Sequence, residues 1–485
     1  MPRRRKGPPN DKFHSARERL RSHVDPEAPM SREEFADACN QYLADKCDPD
    51  GPVTANHIGK IEQGVVTWPR PLRRQAYRAV LGVENDAEIG LLNRRRRTRS
   101  RDDDLAGSQK ADDLDGGLGD AALWYRDLHD TVAILVRMCA SDLSRRSFLR
   151  AAPLVGAALV GVERDWLLSL VNRKVEQVHT DEGSPVVAAT YAMIEMLEEM
   201  DNRFGGGHAR LAGVSYLSDS VLPKIAQTPE GVERTALLTA AAQLTSNTGW
   251  MSYDCGGFGL GQMYMTQALR LCAESGEKVL AGQIFAGLSH LAVAAGKPAE
   301  ALNLAEVGLA TAAHAGSPLG TMRLHAMRAR AHAALQERAR AAEALHAAEK
   351  AIDANTGRDD NARWVRYLDE AYLTAEMAHC FSALADYRNA ERHAHLAAQR
   401  TTGRGRRRTL SLTVLATARL EGNERDLDGA LDAAHQAIDE LQHVSSGRSV
   451  EAIRAFQQRL EPYRDQPAVR RFNTAARAVL PTGTA

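Results

Sequence analysis

Between Val53 and Gly64 the chain reads V-T-A-N-H-I-G-K-I-E-Q-G, and its apolar positions Val53, Ile58 and Ile61 share one side of a short helix. Asn56, His57, Lys60 and Gln63 are left on the other side; Thr54 suits the N-cap and Gly64 the end. Upstream, Ser31-Arg32-Glu33-Glu34 has the spacing of a capping box and precedes Phe35, Ala36, Cys39 and Leu43 at helical intervals. Downstream, Trp68-Pro69-Arg70 breaks the chain, which restarts as a helix carrying Leu72, Ala76, Val80 and Leu81. A further helix is expected over about Asp11 to His23, with Phe13, Leu20 and Val24 as its apolar positions. Together these segments predict a small helical bundle over residues 11–90.

From Ser184 to Leu480 strand-like alternation is missing and alanine is abundant, so this long stretch reads as helix throughout. Ala281 to Ala294, a turn at Gly296-Lys297-Pro298, and Ala299 to Ala313 form the clearest pair of helices. Ala268, Ala301, Ala344, Ala390 and Ala430 are read as opening the second helix of successive pairs, at intervals of 33, 43, 46 and 40 residues. Small residues let paired helices approach closely, and each pair buries its apolar face only by stacking on the next. Trp250, Tyr253, Tyr264, Trp364 and Tyr367 are candidates for a concave groove, against the alternative that each is core packing. Asn247, Arg323, Arg328 and Arg363 are the candidate polar grips, and the pattern does not choose among them.

Composition changes the picture in one respect. The chain is neutral overall, yet Met1 to Arg101 holds 21 Lys and Arg against 14 Asp and Glu. The surplus gathers in an arm, Arg3-Arg4-Arg5-Lys6, and in Arg94 to Arg97 with Arg99 and Arg101, as expected of an end that meets nucleic acid. Asp102, Asp103, Asp104, Asp112, Asp113 and Asp115 follow among Gly, Ser and Ala and read as a linker. Ser144-Arg145-Arg146 ahead of the apolar run Ala151 to Val162 resembles a twin-arginine export signal, but it is internal and too short to span a bilayer, so a buried or interfacial helical hairpin is expected. Six dispersed cysteines form no metal-ligand set, and no nucleotide-cradling, nucleophile-elbow or zinc-hydrolase motif is present. No metal, no cofactor and no enzymatic activity are expected. Glycines 205–207 and 256, 257, 259 and 261 are read as turns.

The V-T-x-x-x-I-x-x-I-E-x-G run, with the Pro-Arg after it, resembles the Cro and phage-repressor type of helix-turn-helix, the xenobiotic-response-element family, over roughly residues 10 to 85. The resemblance implies that Ala55, Asn56 and Lys60 read base edges, and that Arg32 and Arg70 grip phosphates, with Thr54 and His57 as further contacts. It makes Glu62 a buried partner for an arginine of the first helix. The chain departs from the family pattern in the longer loop Ala44 to Pro52 and in the bare methyl group of Ala55. The paired helices resemble the tetratricopeptide repeat, whose ideal period is about 34 residues. The order of parts, with Leu197 to Gly207, Gly249-Trp250-Met251 and Tyr264 to Leu269, resembles actinobacterial regulators that join a Cro-type head to such an array.

The expected protein is therefore all-α: a basic arm (1–10), a helix-turn-helix domain (11–90), a charged disordered linker (91–120), a helical connector with an apolar hairpin (121–183) and a right-handed α-solenoid (184–480). Its expected function is a cytoplasmic, sequence-specific transcriptional regulator that binds double-stranded DNA as a homodimer. The solenoid would dimerise or sense a peptide, small molecule or protein, in control of differentiation or secondary metabolism. The alternative is an interaction scaffold with incidental DNA binding.

Overall fold

A computed structural model describes residues 9–43, 52–66, 69, 71–83, 86, 88–91, 127–144, 154, 156–172, 184–313, 316–355 and 363–480. The basic arm, Arg70, the arginines from 94 to 101, the acidic run and Arg145 to Arg150 lie outside these residues, as do Trp68 and Cys47. The chain divides into two compact units, Met1–Ala111 and Asp112–Ala485. Among the described residues both are helical and hold no strand; a lone bridge joins Arg21 and Pro29.

In the first unit α1 (Asp11–Glu18), α2 (Arg32–Leu43), α3 (Ala55–Glu62) and α4 (Pro71–Leu81) enclose Phe13, Phe35, Ile58, Ile61 and Tyr77. The Phe13 ring meets Phe35 and Tyr77 edge-on, at centroid distances of 5.8 and 5.5 Å. α1 ends earlier than its apolar pattern suggests, and Val24, read as part of that face, is 87% exposed. Pro26 and Pro29 cannot extend a helical ladder, and the loop instead docks on α2 through the Ser22 hydroxyl, which donates to Glu34. The expected capping box is formed: Glu34 N–H donates to Ser31 Oγ at 3.2 Å, and Ser31 N–H to the Glu34 carboxylate at 2.8 Å. Hydrogen bonds from the Ser22 hydroxyl and then from Ser31 lower the Glu34 carboxyl to about 2.

In the second unit α5 (Leu128–Ser144) and α6 (Gly156–Asn172) precede α7 (Pro185–Phe204), α8 (Gly206–Tyr216), which runs into a π-helical turn, and α9 (Leu222–Gln227). Six helix pairs follow: α10 (Val232–Asp254) with α11 (Phe258–Ser275), α12 (Lys278–Ala294) with α13 (Pro298–Ala312), and α14 (Pro318–Ala334) with α15 (Arg338–Asp353). Then come α16 (Glu370–Ala383) with α17 (Tyr387–Arg400), α18 (Gly405–Glu421) with α19 (Leu427–Leu441), and α20 (Gly447–Arg459) with α21 (Pro467–Val479).

The second helices begin at 258, 298 and 338, then at 387, 427 and 467, so the spacing is 40 residues on either side of one step of 49. This corrects the uneven intervals expected from the alanines. Ala301, Ala390 and Ala430 do lie near the start of their helices, but Ala344 sits further in and Ala268 falls in the second half of α11. Alanine marks a close crossing wherever helices touch, so its spacing reports contacts rather than helix starts. Of the glycines read as turns, Gly206 and Gly207 open α8 and Gly259 and Gly261 lie inside α11, where Gly261 lets that helix approach the backbone of Gly249.

Helices α5 and α6 both pack on α11, and Leu159, Val162 and Trp166 of α6 are buried. The Trp166 indole donates to Thr311 Oγ1 at 2.8 Å, so the described part of the apolar run serves as core. No helix among the described residues is long and apolar enough to cross a membrane.

The stack of pairs curls until its beginning meets its later part, with α7 against α18. At the seam Ser445 N–H donates to Phe204 O at 2.7 Å and Gly207 N–H to Ser445 O at 3.1 Å. Gly205 adopts φ +82°, and a Cβ there would lie 2.6 Å from the Ser445 carbonyl oxygen, so both the turn and the contact require glycine. Asp254, fully buried, accepts from Gly206 N–H at 3.1 Å and from Ser446 Oγ at 2.9 Å, and it faces Arg406 at 3.5 Å.

Candidate functional site

Two places collect the residues singled out by sequence. The first is α3. Val53, Ile58 and Ile61 are buried while Asn56, Lys60 and Gln63 are exposed, as their spacing predicts. The His57 backbone N–H donates to Thr54 Oγ1, and the His57 ring nitrogen Nδ1 accepts from Thr54 N–H at 3.2 Å. His57 thus takes the place that Glu or Gln usually holds in a capping box, a role its sequence reading did not include. Gly64, at φ +67°, ends the helix.

Glu62 fixes this helix from below. Arg17 Nε donates to its Oε1 at 2.8 Å, and Arg32 meets its Oε2 at 2.6 Å. Burial alone would raise the Glu62 carboxyl, but the hydrogen bonds from Arg17 and Arg32 outweigh it and hold the group below its ordinary range. The expected arginine of the first helix is therefore Arg17. Arg32 shares the same carboxylate, with 44% of its side chain still exposed. Asn40 clasps the segment leading into α3, its Nδ2 donating to Val53 O at 2.9 Å while its Oδ1 accepts from Val53 N–H at 2.7 Å. The result is a rigidly held helix whose outer face carries an amide and an ammonium with little commitment to the protein itself.

The second place is a partly open cavity of about 160 Å³ lined by the curled helix pairs. Trp250, Trp364 and Tyr367 line it, as do Asn247 and Arg323. Tyr253 and Tyr264, expected beside them, do not. Tyr253 is fully buried with its hydroxyl 3.0 Å from His290 Nδ1, and Tyr264 donates to Asp142 of α5 at 3.2 Å. Both phenols need a partner once buried: Tyr253 finds it in His290, which itself lines the lumen, and Tyr264 in α5. Arg328 and Arg363 also lie elsewhere, facing Glu306 at 3.5 Å and Glu195 at 2.7 Å.

Six arginines reach the cavity: Arg323, Arg330, Arg404, Arg406, Arg407 and Arg448. Most face a carboxylate. Arg406 meets Asp201 at 2.6 Å, Arg330 meets Glu376 at 2.8 Å and Arg404 meets Asp369 at 2.7 Å. Three guanidinium groups, from Arg323, Arg406 and Arg448, stand 5.4 to 6.0 Å from the Trp250 ring, within cation–π range. Burial, reinforced by Arg330, lowers His379 to about 3, and burial followed by Arg448 holds His290 well below its usual value. Both imidazoles are neutral at pH 7 and leave the arginines as the cations of the site. Glu198, which accepts from Asn247 at 2.8 Å and Gln243 at 3.1 Å, is raised chiefly by its burial.

The motifs Leu197 to Gly207 and Gly249-Trp250-Met251 thus supply one wall of the cavity and the closing seam. The arginines other than Arg323 were missed. The run Arg404-Gly405-Arg406-Arg407-Arg408 carried a signal, but a basic run is usually a solvated face and only its contact with α7 turns it inward. Comparison of the chain with family models, with curated proteins and with solved structures finds no match.

Proposed function

We propose that this chain is a sequence-specific DNA-binding transcriptional regulator whose helical-repeat unit senses a ligand in its central cavity. The observation that carries the reading is the outer face of α3: Asn56 and Lys60 exposed on a helix whose opposite side is pinned by the buried Arg17–Glu62–Arg32 cluster. An amide can bond two edges of adenine and an ammonium can reach guanine or phosphate, which is the chemistry of major-groove readout. The likeness of the helix pairs to tetratricopeptide arrays and the cavity between them support the sensing role.

Selecting fragments of the source genome with purified full-length protein tests the proposal. A regulator recovers a defined motif, two-fold symmetric if the protein binds as a dimer. Asn56→Ala then weakens that motif by about 1–3 kcal/mol while leaving random duplex unchanged, whereas Arg70→Ala weakens every duplex alike. Equal binding to all duplexes, unaltered by Asn56→Ala, favours a protein-interaction scaffold instead.

A further inference from the structure

One cation of the cavity differs from the rest. Arg323, on α14, is 7% exposed, and no carboxylate among the described residues pairs with it. Its Nη1 donates to the backbone and side-chain oxygens of Gln283, both at 3.2 Å, while its Nε is buried with no hydrogen-bond partner. The phenols of Tyr367 and Tyr372 and the more distant Glu376 offset the burial of this guanidinium, but its Nε–H still lacks an acceptor, which an arriving anion would supply. Other groups of the lining point to the same chemistry. Ser411 Oγ, Gln283 Nε2 and Trp364 Nε1 are likewise buried without partners, and all three can donate.

Size and charge narrow the ligand. The lumen, at about 160 Å³, is close to the space that admits a single benzene ring. Arg406, Arg330 and Arg404 each meet a carboxylate, Arg407 shares Asp369 with Arg404 at 3.5 Å and Arg448 lies 4.0 Å from Asp254, so Arg323 is the one of the six with no carboxylate within ion-pair distance among the described residues. A guanidinium without an ion pair, carrying a free Nε–H, calls for an anionic acceptor. Trp250, Met251, Met265 and Leu280 supply an apolar surface in the same cavity.

We infer that the cavity binds a small monocarboxylate with an apolar body, its carboxylate on Arg323 and its body against Trp250. Such a group is carried by a free organic acid or by the C-terminal residue of a peptide. The inference rests on the reading of the cavity as a sensor site, and it names that site's ligand class.

Calorimetric titration of the full-length protein tests it with four probes: benzoate, N-acetylphenylalanine and the corresponding amides of each. Both acids are expected to bind at least tenfold more tightly than their amides. Tighter binding of benzoate identifies the free acid as the source, and tighter binding of N-acetylphenylalanine identifies a peptide terminus. Arg323→Gln should abolish the preference for acid over amide, with an unchanged far-ultraviolet helix signal showing that the variant is folded. Arg323→Lys keeps the charge but loses the planar fork, and should bind several-fold more weakly than the native chain. Acid and amide binding alike, no binding of any probe, inorganic phosphate binding as tightly as the acids, or an unchanged preference in Arg323→Gln would each overturn the inference. Fragment selection on DNA is read separately, so loss of the ligand class leaves the regulator reading standing, and the reverse also holds.

Discussion

Each unit buries arginine against carboxylate, but the two arrangements do different work. In the first, Glu62 draws Arg17 and Arg32 to one point beneath α3, and the cluster leaves the opposite face of that helix polar and unoccupied. In the second, the cations ring an interior space, and the carboxylates facing them hold distant helices together: Arg406 of α18 joins Asp201 of α7 and Asp254 of α10. One unit stiffens an exterior surface; the other stiffens a wall around a lumen. A buried ion cluster is costly to desolvate, so in both cases its value lies in orientation more than in net stability.

The comparison is broken most sharply at the seam. Arg406→Gln leaves Asp201 and fully buried Asp254 without their main cation and should cost about 4 kcal/mol, read by denaturant unfolding and by hydrogen exchange at α7 and α18. Glu62→Ala should cost about 3 kcal/mol, somewhat less because Arg32 can turn to water while Arg17 cannot, with the loss confined to exchange in α1 to α4.

A smaller effect sharpens the role of α6. Burial raises its Glu163 to about 7, and Glu163 Oε1 is buried without a partner. The folded state then prefers the proton, so the fold gains most below the ordinary carboxyl range and loses stability as pH rises towards 7. Glu163→Gln should therefore raise stability by about 1 kcal/mol at pH 8, allowing for solvent on the open side of the group, and change little at pH 4. Equal melting shifts at both values would remove burial of this carboxylate as the cause.

The first unit was the more legible. The Ser31–Glu34 box, the Thr54 cap, the inward positions of α3 and its end at Gly64 all involve residues within a few positions of one another, where side-chain reach and helical period decide the outcome. Even there, the clasp of Asn40 on Val53 and the second cation on Glu62 escaped notice, since both depend on how α2 meets its neighbours.

For the second unit, periodicity announced helices in pairs, and the missing alternation excluded sheet. The 40-residue spacing stayed hidden behind alanines that mark crossings at several depths along their helices. The cavity was hidden more deeply. Trp250 and Arg323 could be named as candidates, but nothing nearby in the chain distinguishes them from Tyr253 or Arg328, which face elsewhere.

What the amino-acid order settled by itself was local: the caps of α2 and α3 and the end of α3, which side of α3 is apolar, and which end carries the positive charge. What only the tertiary structure decided was which charges meet. Asp201 and Arg406 stand 205 positions apart, and they touch because a small, repeated turn between helix pairs accumulates until the fifth pair reaches α7. Local pattern specifies each turn only coarsely, and the sum over six pairs is fixed by packing.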